Sequence, residues 1–186
     1  MKRFFLTAVL ALGALLVGCN QLTQYQVSEQ AINQALEKHN HFSKNIGLPG
    51  VADAQITLTN LVSQIGREEP NKIMLSGKVG LDISSLFGSQ KATVALKMKA
   101  QPGFDKETGA IYLREVEIID SQIEPEKMQG ILQTLMPYLS QSLRSYFNQN
   151  PAYVLSDSHS KGEALAKKLA KGIEVRPGEI VIPFTN

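Results

Sequence analysis

The sequence predicts an α+β fold: an antiparallel four-stranded meander plus a C-terminal strand, wrapping one long amphipathic helix. Three observations predict it. Strand-like runs follow one another without intervening helices, so a parallel βαβ sheet is disfavoured. Each run alternates apolar and polar residues, which buries one face of a sheet and wets the other. A later stretch repeats apolar residues at helical spacing, from Met128 through Ile131, Leu132, Leu135, Leu139 and Leu143 to Phe147.

The amino terminus comes first. Lys2 and Arg3 precede an uncharged apolar stretch, Phe4 to Leu16. A comfortable membrane span needs about 20 residues, so this stretch matches the core of an export signal instead. It ends in Leu16-Val17-Gly18-Cys19, with the chain's one cysteine last. The run resembles a bacterial lipobox, which implies cleavage after residue 18 and lipid on Cys19. The thiol would carry a thioether-linked diacylglycerol, with further palmitate-type acylation at the new amino terminus. Two or more chains anchor stably where one is marginal. Asn20 is not the Asp that typically retains Gram-negative lipoproteins in the inner membrane. The resemblance therefore implies the periplasmic face of the outer membrane. The expected organisation is a signal peptide at 1–18, a short lipidated tether at 19–27 and a single globular domain at 28–186. A tether of that length reaches less than about 30 Å.

Composition narrows the function. The chain has 186 residues, 43% hydrophobic and 19% charged, enough for one domain with a real core. Without Lys2 and Arg3 it carries 17 basic and 17 acidic residues. A neutral balance gives no support for nucleic-acid binding. One cysteine allows no intrachain disulfide, so the fold must rest on its core.

The elements follow in order. Ser28 is placed as an N-cap, and Val27 with Ile32 as a hydrophobic staple, for a helix over about 28–40. Asn45 to Gly50 reads as a loop from its Gly and Pro. The first strand spans about 52–65, with Ala52, Ala54, Ile56 and Leu58 in phase. The second sets Ile73, Leu75, Gly77, Val79, Leu81 and Ile83 inward, and the third Ala92, Val94, Leu96, Met98 and Ala100. In the fourth, Ile111 and Leu113 are followed by Val116 and Ile118. That phase shift at Arg114-Glu115 predicts a bulge. Pro125 opens the long helix over 125–148 as its first helical residue, and Pro137 should kink it. A short helix at about 161–171 follows, then a strand, the Pro177-Gly178 turn, and Ile180-Val-Ile182, which could pair with a sheet edge.

Chemistry is sparse. His39, His41 and His159 lack neighbours spaced to complete a metal site and read as surface histidines. No phosphate loop or nucleophile elbow is present. Ser156, Asp157 and His159 lie too close in one loop for a catalytic relay. The expectation is a protein that is not an enzyme and has no cofactor or metal. Lys72, Lys78, Lys91, Lys97 and Lys99 share the polar face of the second and third strands. They read as a solvated face that discourages edge pairing, with anionic headgroups as the other reading.

The apolar face offers a binding hypothesis. A long helix over a curved meander can leave a channel. Ala54, Gly77, Ala92 and Ala100 are small, and Met74, Met98, Met128 and Met136 are adaptable. The candidate groove is lined by Ile73, Leu75, Val79, Leu81, Val94, Leu96, Met98, Leu132, Leu135, Leu139 and Leu143. Ordinary core packing is the competing reading, in which the chain would serve as an envelope protein-interaction or scaffolding lipoprotein with a closed core.

Five stretches carry a resemblance: Leu15 to Tyr25, Phe42 to Asp53, Ser63 to Asn71, Leu86 to Ala92 and Lys171 to Phe184. Together they resemble an uncharacterised family of enterobacterial outer-membrane lipoproteins. The resemblance implies a fold like the tubular lipid-binding (TULIP) proteins, a half-barrel in which a sheet wraps a long helix around a lipid-holding groove. It implies membrane attachment through Cys19 and a lipid as possible ligand. It assigns no catalytic residue and no protein partner.

Overall fold

The computed structural model describes residues 23–40, 42–48, 52–85 and 88–184. The signal stretch, Cys19, Asn20 and His41 lie outside the described residues, as do 49 and 50 of the expected loop.

Among the described residues, two antiparallel sheets and three α-helices make the fold. These residues open with β1 (Gln24–Ser28) and α1 (Glu29–Leu36), which ends in a 3-10 turn, Glu37–His39. Then come β2 (Ser43–Leu48), β3 (Ala52–Ile65), β4 (Ile73–Ser85), β5 (Gly88–Asp105) and β6 (Ala110–Glu124). A 3-10 turn, Glu126–Met128, leads into α2 (Gln129–Gln149) and the two-residue β7 (Tyr153–Val154). The chain ends with α3 (Lys161–Leu169), β8 (Glu174–Arg176) and β9 (Glu179–Pro183). The larger sheet has the order β2-β3-β4-β5-β6-β7 and the smaller one β1-β9-β8.

The meander stands as predicted, and four features depart from expectation. Residues 43–48 form β2, an edge strand on β3, which overlaps the loop expected at 45–50. The Gly and Pro of 45–50 argued against a strand, but antiparallel pairing with Ala52–Thr57 satisfies the backbone of 43–48. The C-terminal run does not join the meander: β9 pairs with β1 and β8. Gln24–Ser28 form β1, so residues 24–27, assigned to the tether, belong to the domain. Pro125 caps the 3-10 turn, and α2 proper starts four residues later and runs unbroken through the exposed Pro137.

Local signals explain the boundaries that were met. The Ser28 hydroxyl accepts from Ala31 N at 3.2 Å, so it caps α1. Val27 and Ile32 are both buried beneath it. Glu115 takes φ 51°, and β6 gains one residue on β5 between Arg114 and Glu117, the bulge that the phase shift announces. A second bulge was not foreseen. Asn60, at φ 53°, adds one residue to β3 between Thr59 and Val62. Burial passes from Ala54, Ile56 and Leu58 to Leu61, Ser63 and Ile65 across it. Such bulges bend and twist the strands that carry them, so the sheet coils instead of lying flat.

Beyond residue 60, β3 loses β2 as a neighbour and α1 takes its place. Glu29 Oε2 accepts from Ile65 N at 2.8 Å, Asn33 Oδ1 from Ser63 N at 2.7 Å, and Asn40 Oδ1 from Leu61 N at 3.1 Å. Four residues of helix advance about 6 Å, and two of strand about 6.6 Å. Helix side chains can therefore follow the strand's spacing of donors, in the antiparallel sense. The core lies between α2, α1 and the inner face of the larger sheet.

Candidate functional site

All eleven residues proposed to line a groove come together. Ile73, Leu75, Val79, Leu81, Val94, Leu96 and Met98 face Leu132, Leu135, Leu139 and Leu143 inside one apolar cluster. None is more than 3% exposed. The space between α2 and the sheet is thus filled by the protein's own side chains. Gly77 shows how: a Cβ there would meet Leu61 Cδ1 at 3.4 Å and Leu58 Cδ1 at 3.5 Å. The residues around the Asn60 bulge fill the gap that a small inner-face residue leaves.

The two long flanks of α2 differ. On the β6 side the helix is tied down: Arg144 Nε donates to Val116 O at 2.8 Å, and Arg114 Nη1 to Asn148 O at 3.0 Å. These bonds satisfy carbonyls at the Glu115 bulge and at the helix end. A depression of about 290 Å³ opens further along, between Ile118, Ile119, Met136 and Ser140. On the other side a depression of about 220 Å³ separates α2 from the edge strand β2. Lys44, Asn45 and Ile46 form one wall, and Tyr138, Gln141 and Ser142 the other. Ile46 and Ser142 are buried, while Tyr138 is 41% exposed. Leu139 and Leu143, next in sequence to Tyr138 and Ser142, belong to the same apolar core as Ile46.

Sequence reasoning missed this seam. Ile46 stood in the expected loop, and Tyr138 lies off the buried stripe of α2. The one signal was Ile46 itself, a β-branched residue between glycine-rich neighbours.

His39 is not the surface residue it was expected to be. Its Nδ1 lies 2.7 Å from Tyr146 Oη and its Nε2 3.0 Å from Pro151 O. A carbonyl can only accept, so Nε2 carries the hydrogen and Nδ1 receives the phenol proton. The neutral ring therefore fits, and burial holds its pKa below the ordinary value. Burial also raises the Tyr146 phenol. Phe42 stacks on Tyr146 with ring centroids 3.9 Å apart. The group pins the turn after α1 to the last turn of α2.

The loop at 156–160 does not assemble a relay. Asp157 pairs with Lys167 at 3.5 Å, and Ser156 Oγ lies 2.8 Å from Ser158 Oγ. His159 Nδ1 reaches Glu163 Oε2 at 3.1 Å. Glu163 is 1% exposed and also accepts from Tyr153 Oη at 2.9 Å. Burial and that carboxylate push the Tyr153 phenol upward. The lysine face of β4 and β5 is largely neutralised. Lys91 pairs with Asp82 at 3.3 Å, Lys97 with Glu68 at 2.9 Å and Lys99 with Glu69 at 3.2 Å, while Lys72 donates to Gln101 at 3.1 Å. Among the described residues no group of His, Cys, Asp or Glu could hold a metal, and no helix is long and apolar enough to cross a membrane.

A family model described as a protein of unknown function, DUF1439, matches residues 27–179. The chain belongs to the DUF1439 family. Within it, the chain is 74% identical to the uncharacterized lipoprotein YceB of Salmonella typhimurium over 186 residues, all of both chains. It is 68% identical to the protein of that name from Escherichia coli K12, again over the full length of both. Among solved structures, a crystal structure of lipopolysaccharide binding protein aligns with 88% of this DUF1439 chain and 50% of that protein, at a TM-score of 0.33 and 12% identity.

Proposed function

We propose that this DUF1439 protein is a membrane-anchored lipoprotein that holds a lipid, or another long apolar molecule, between α2 and the larger sheet. The observation that carries the reading is the seam between α2 and β2, with its depression of about 220 Å³ beside the apolar core. A ligand entering there would part Tyr138 and Ser142 from Ile46 and lie along Leu139 and Leu143. Alkyl chains suit such a lining, because burying each CH₂ is worth about 0.8 kcal/mol and no polar group needs a partner. No step in this role requires bond chemistry, so the protein acts as a carrier and not as an enzyme. The names of its full-length relatives support the lipid anchor. In this reading Cys19 bears the lipid and Asn20 sends the protein to the periplasmic face of the outer membrane. With β1 starting at Gln24, five residues after Cys19, the tether spans at most about 18 Å.

Native mass spectrometry of the purified protein, followed by organic extraction, tests this. Copurifying lipid that is reduced when Ile46→Trp blocks the seam is the expected result. Protein that never carries lipid, even after incubation with vesicles, overturns it. One observation favours a second reading. Every proposed groove residue is 3% exposed or less, as in a closed core. A closed domain would act as an envelope interaction module. In-cell crosslinking that returns one dominant protein partner and no lipid would favour it.

A further inference from the structure

A second surface bears on how the domain meets the membrane. Helix α3 is held to the domain by one face. Glu163 and Ala166 are buried, and Glu163 is fixed by Tyr153 and His159. Its N-terminal turn rests on β1: a Cβ on Gly162 would lie 3.2 Å from the Tyr25 ring. The roll of α3 is therefore set, and Lys161, Leu165, Lys168 and Leu169 point outward. At 100° per residue these four positions fall within an arc of about 100°. Leu165 is 41% and Leu169 47% exposed. Lys161 and Lys168 are exposed as well, and Lys171 follows just beyond the helix.

The charges here differ from those on β4 and β5. There Lys91, Lys97 and Lys99 each face an acid. Among the described residues Lys161, Lys168 and Lys171 form no ion pair, whereas Lys167, on the inner side, does. No acid lies on the outward arc, because Glu163 points into the domain. Two leucines ringed by unneutralised lysines suit a surface that is apolar below and anionic above.

We propose that the outward face of α3 docks on the bilayer, with Leu165 and Leu169 entering the interface and Lys161, Lys168 and Lys171 meeting anionic phosphodiester headgroups. The inference rests on the reading of Cys19 as the anchor. Tyr25, six residues after Cys19, touches α3 directly, so a lipid on Cys19 keeps this helix within about 22 Å of the membrane. The pairing of β1 with β9 makes that placement rigid. Docking would fix which way the domain faces, a role separate from any ligand it holds.

The test uses the full-length lipidated protein, carrying Leu169→Cys labelled with an environment-sensitive fluorophore, in vesicles of phosphatidylethanolamine with phosphatidylglycerol. Label at Val62→Cys, exposed on β3, is the control. The expected result is a blue shift and shielding from an aqueous quencher at 169 but not at 62, lost when Lys161→Glu and Lys168→Glu are added. A label at 169 that stays in water overturns the proposal. So does shielding already present without vesicles, which would mean a second copy covers the face. A Cys19→Ser protein, read by co-sedimentation, separates this surface from the anchor. It should bind anionic vesicles in preference to phosphatidylcholine, about fivefold more weakly for each lysine removed. Equal binding to both vesicle types, or no effect of the lysines, also overturns it. Mass spectrometry finding no lipid on Cys19 would instead remove the anchor reading, while leaving this arm interpretable.

Discussion

Asn33 grips Ser63 at three points. Its Oδ1 accepts from Ser63 N and from Ser63 Oγ, each at 2.7 Å, and its Nδ2 donates to Ser63 O at 3.2 Å. Ser63 is 1% exposed, so water cannot replace these bonds. One amide side chain thus does for β3 what a neighbouring strand would do. Asn33→Leu should strand a buried donor and a buried acceptor, at about 1–3 kcal/mol for each group. Urea unfolding should show a loss of about 2–6 kcal/mol, while Gln34→Ala, on the exposed side of α1, stays within about 0.5 kcal/mol.

His39 should make stability depend on pH. Its folded pKa lies below its ordinary 6.5, so the unfolded chain binds the proton more readily. The contribution is fully present above pH 6.5 and is lost as pH falls from there through the lowered folded value. Urea midpoints between pH 7.5 and 5 should therefore fall more steeply for the native protein than for His39→Gln. Equal slopes would show that the ring is not held neutral.

Gly66 turns the chain out of β3 at φ 60°, beneath the β8–β9 turn. Gly178 N donates to Ile65 O at 2.8 Å there, and a Cβ on Gly66 would lie 2.9 Å from Arg176 O. A side chain would meet backbone, which cannot step aside. Gly66→Ala should cost about 1–3 kcal/mol from the left-handed conformation alone, and more from the contact. Thermal melting would read it. Gly130, with nothing within 4 Å of a Cβ, is the control and should gain slightly as alanine.

The seam and the core should separate in mutants. Leu143→Ala removes a fully packed side chain and should cost about 2–5 kcal/mol. Tyr138→Ala, at a half-open position on the seam, should change stability by less than about 1 kcal/mol. If the seam admits a ligand, Tyr138→Ala will alter the lipid recovered from the purified protein, and its melting curve will not explain the difference.

Cys19→Ser should leave the domain folded and move most of it from the membrane fraction to the soluble one, the remainder being what the lysine face of α3 holds on its own. Fractionation with circular dichroism on the same preparation would check both halves. A domain that unfolds would show that the anchor and the fold are not separate.

What could be read from the residues alone was whatever repeats locally. The alternation in 73–83 and 92–100, the phase slip at Glu115, the Ser28 cap and the stripe from Met128 to Phe147 each show through a few neighbouring side chains. They determined an antiparallel meander beneath a long helix, and which residues would be buried. Tertiary structure decided what depends on a distant partner. Ser43–Leu48 became a strand because β3 lay beside it, although the glycines and proline of 45–50 suggested a loop. Gln24–Ser28 became a strand because β9, more than 150 residues later, came to pair with it. Period and propensity act over a few residues, whereas an edge strand takes its hydrogen bonds from whatever neighbour the fold supplies. The same holds for the site. The eleven groove residues were legible as apolar and inward. That they fill the space between α2 and the sheet, with shallow depressions only along the flanks of α2, followed from how Leu58 and Leu61 pack over Gly77 and how Arg144 ties α2 to β6.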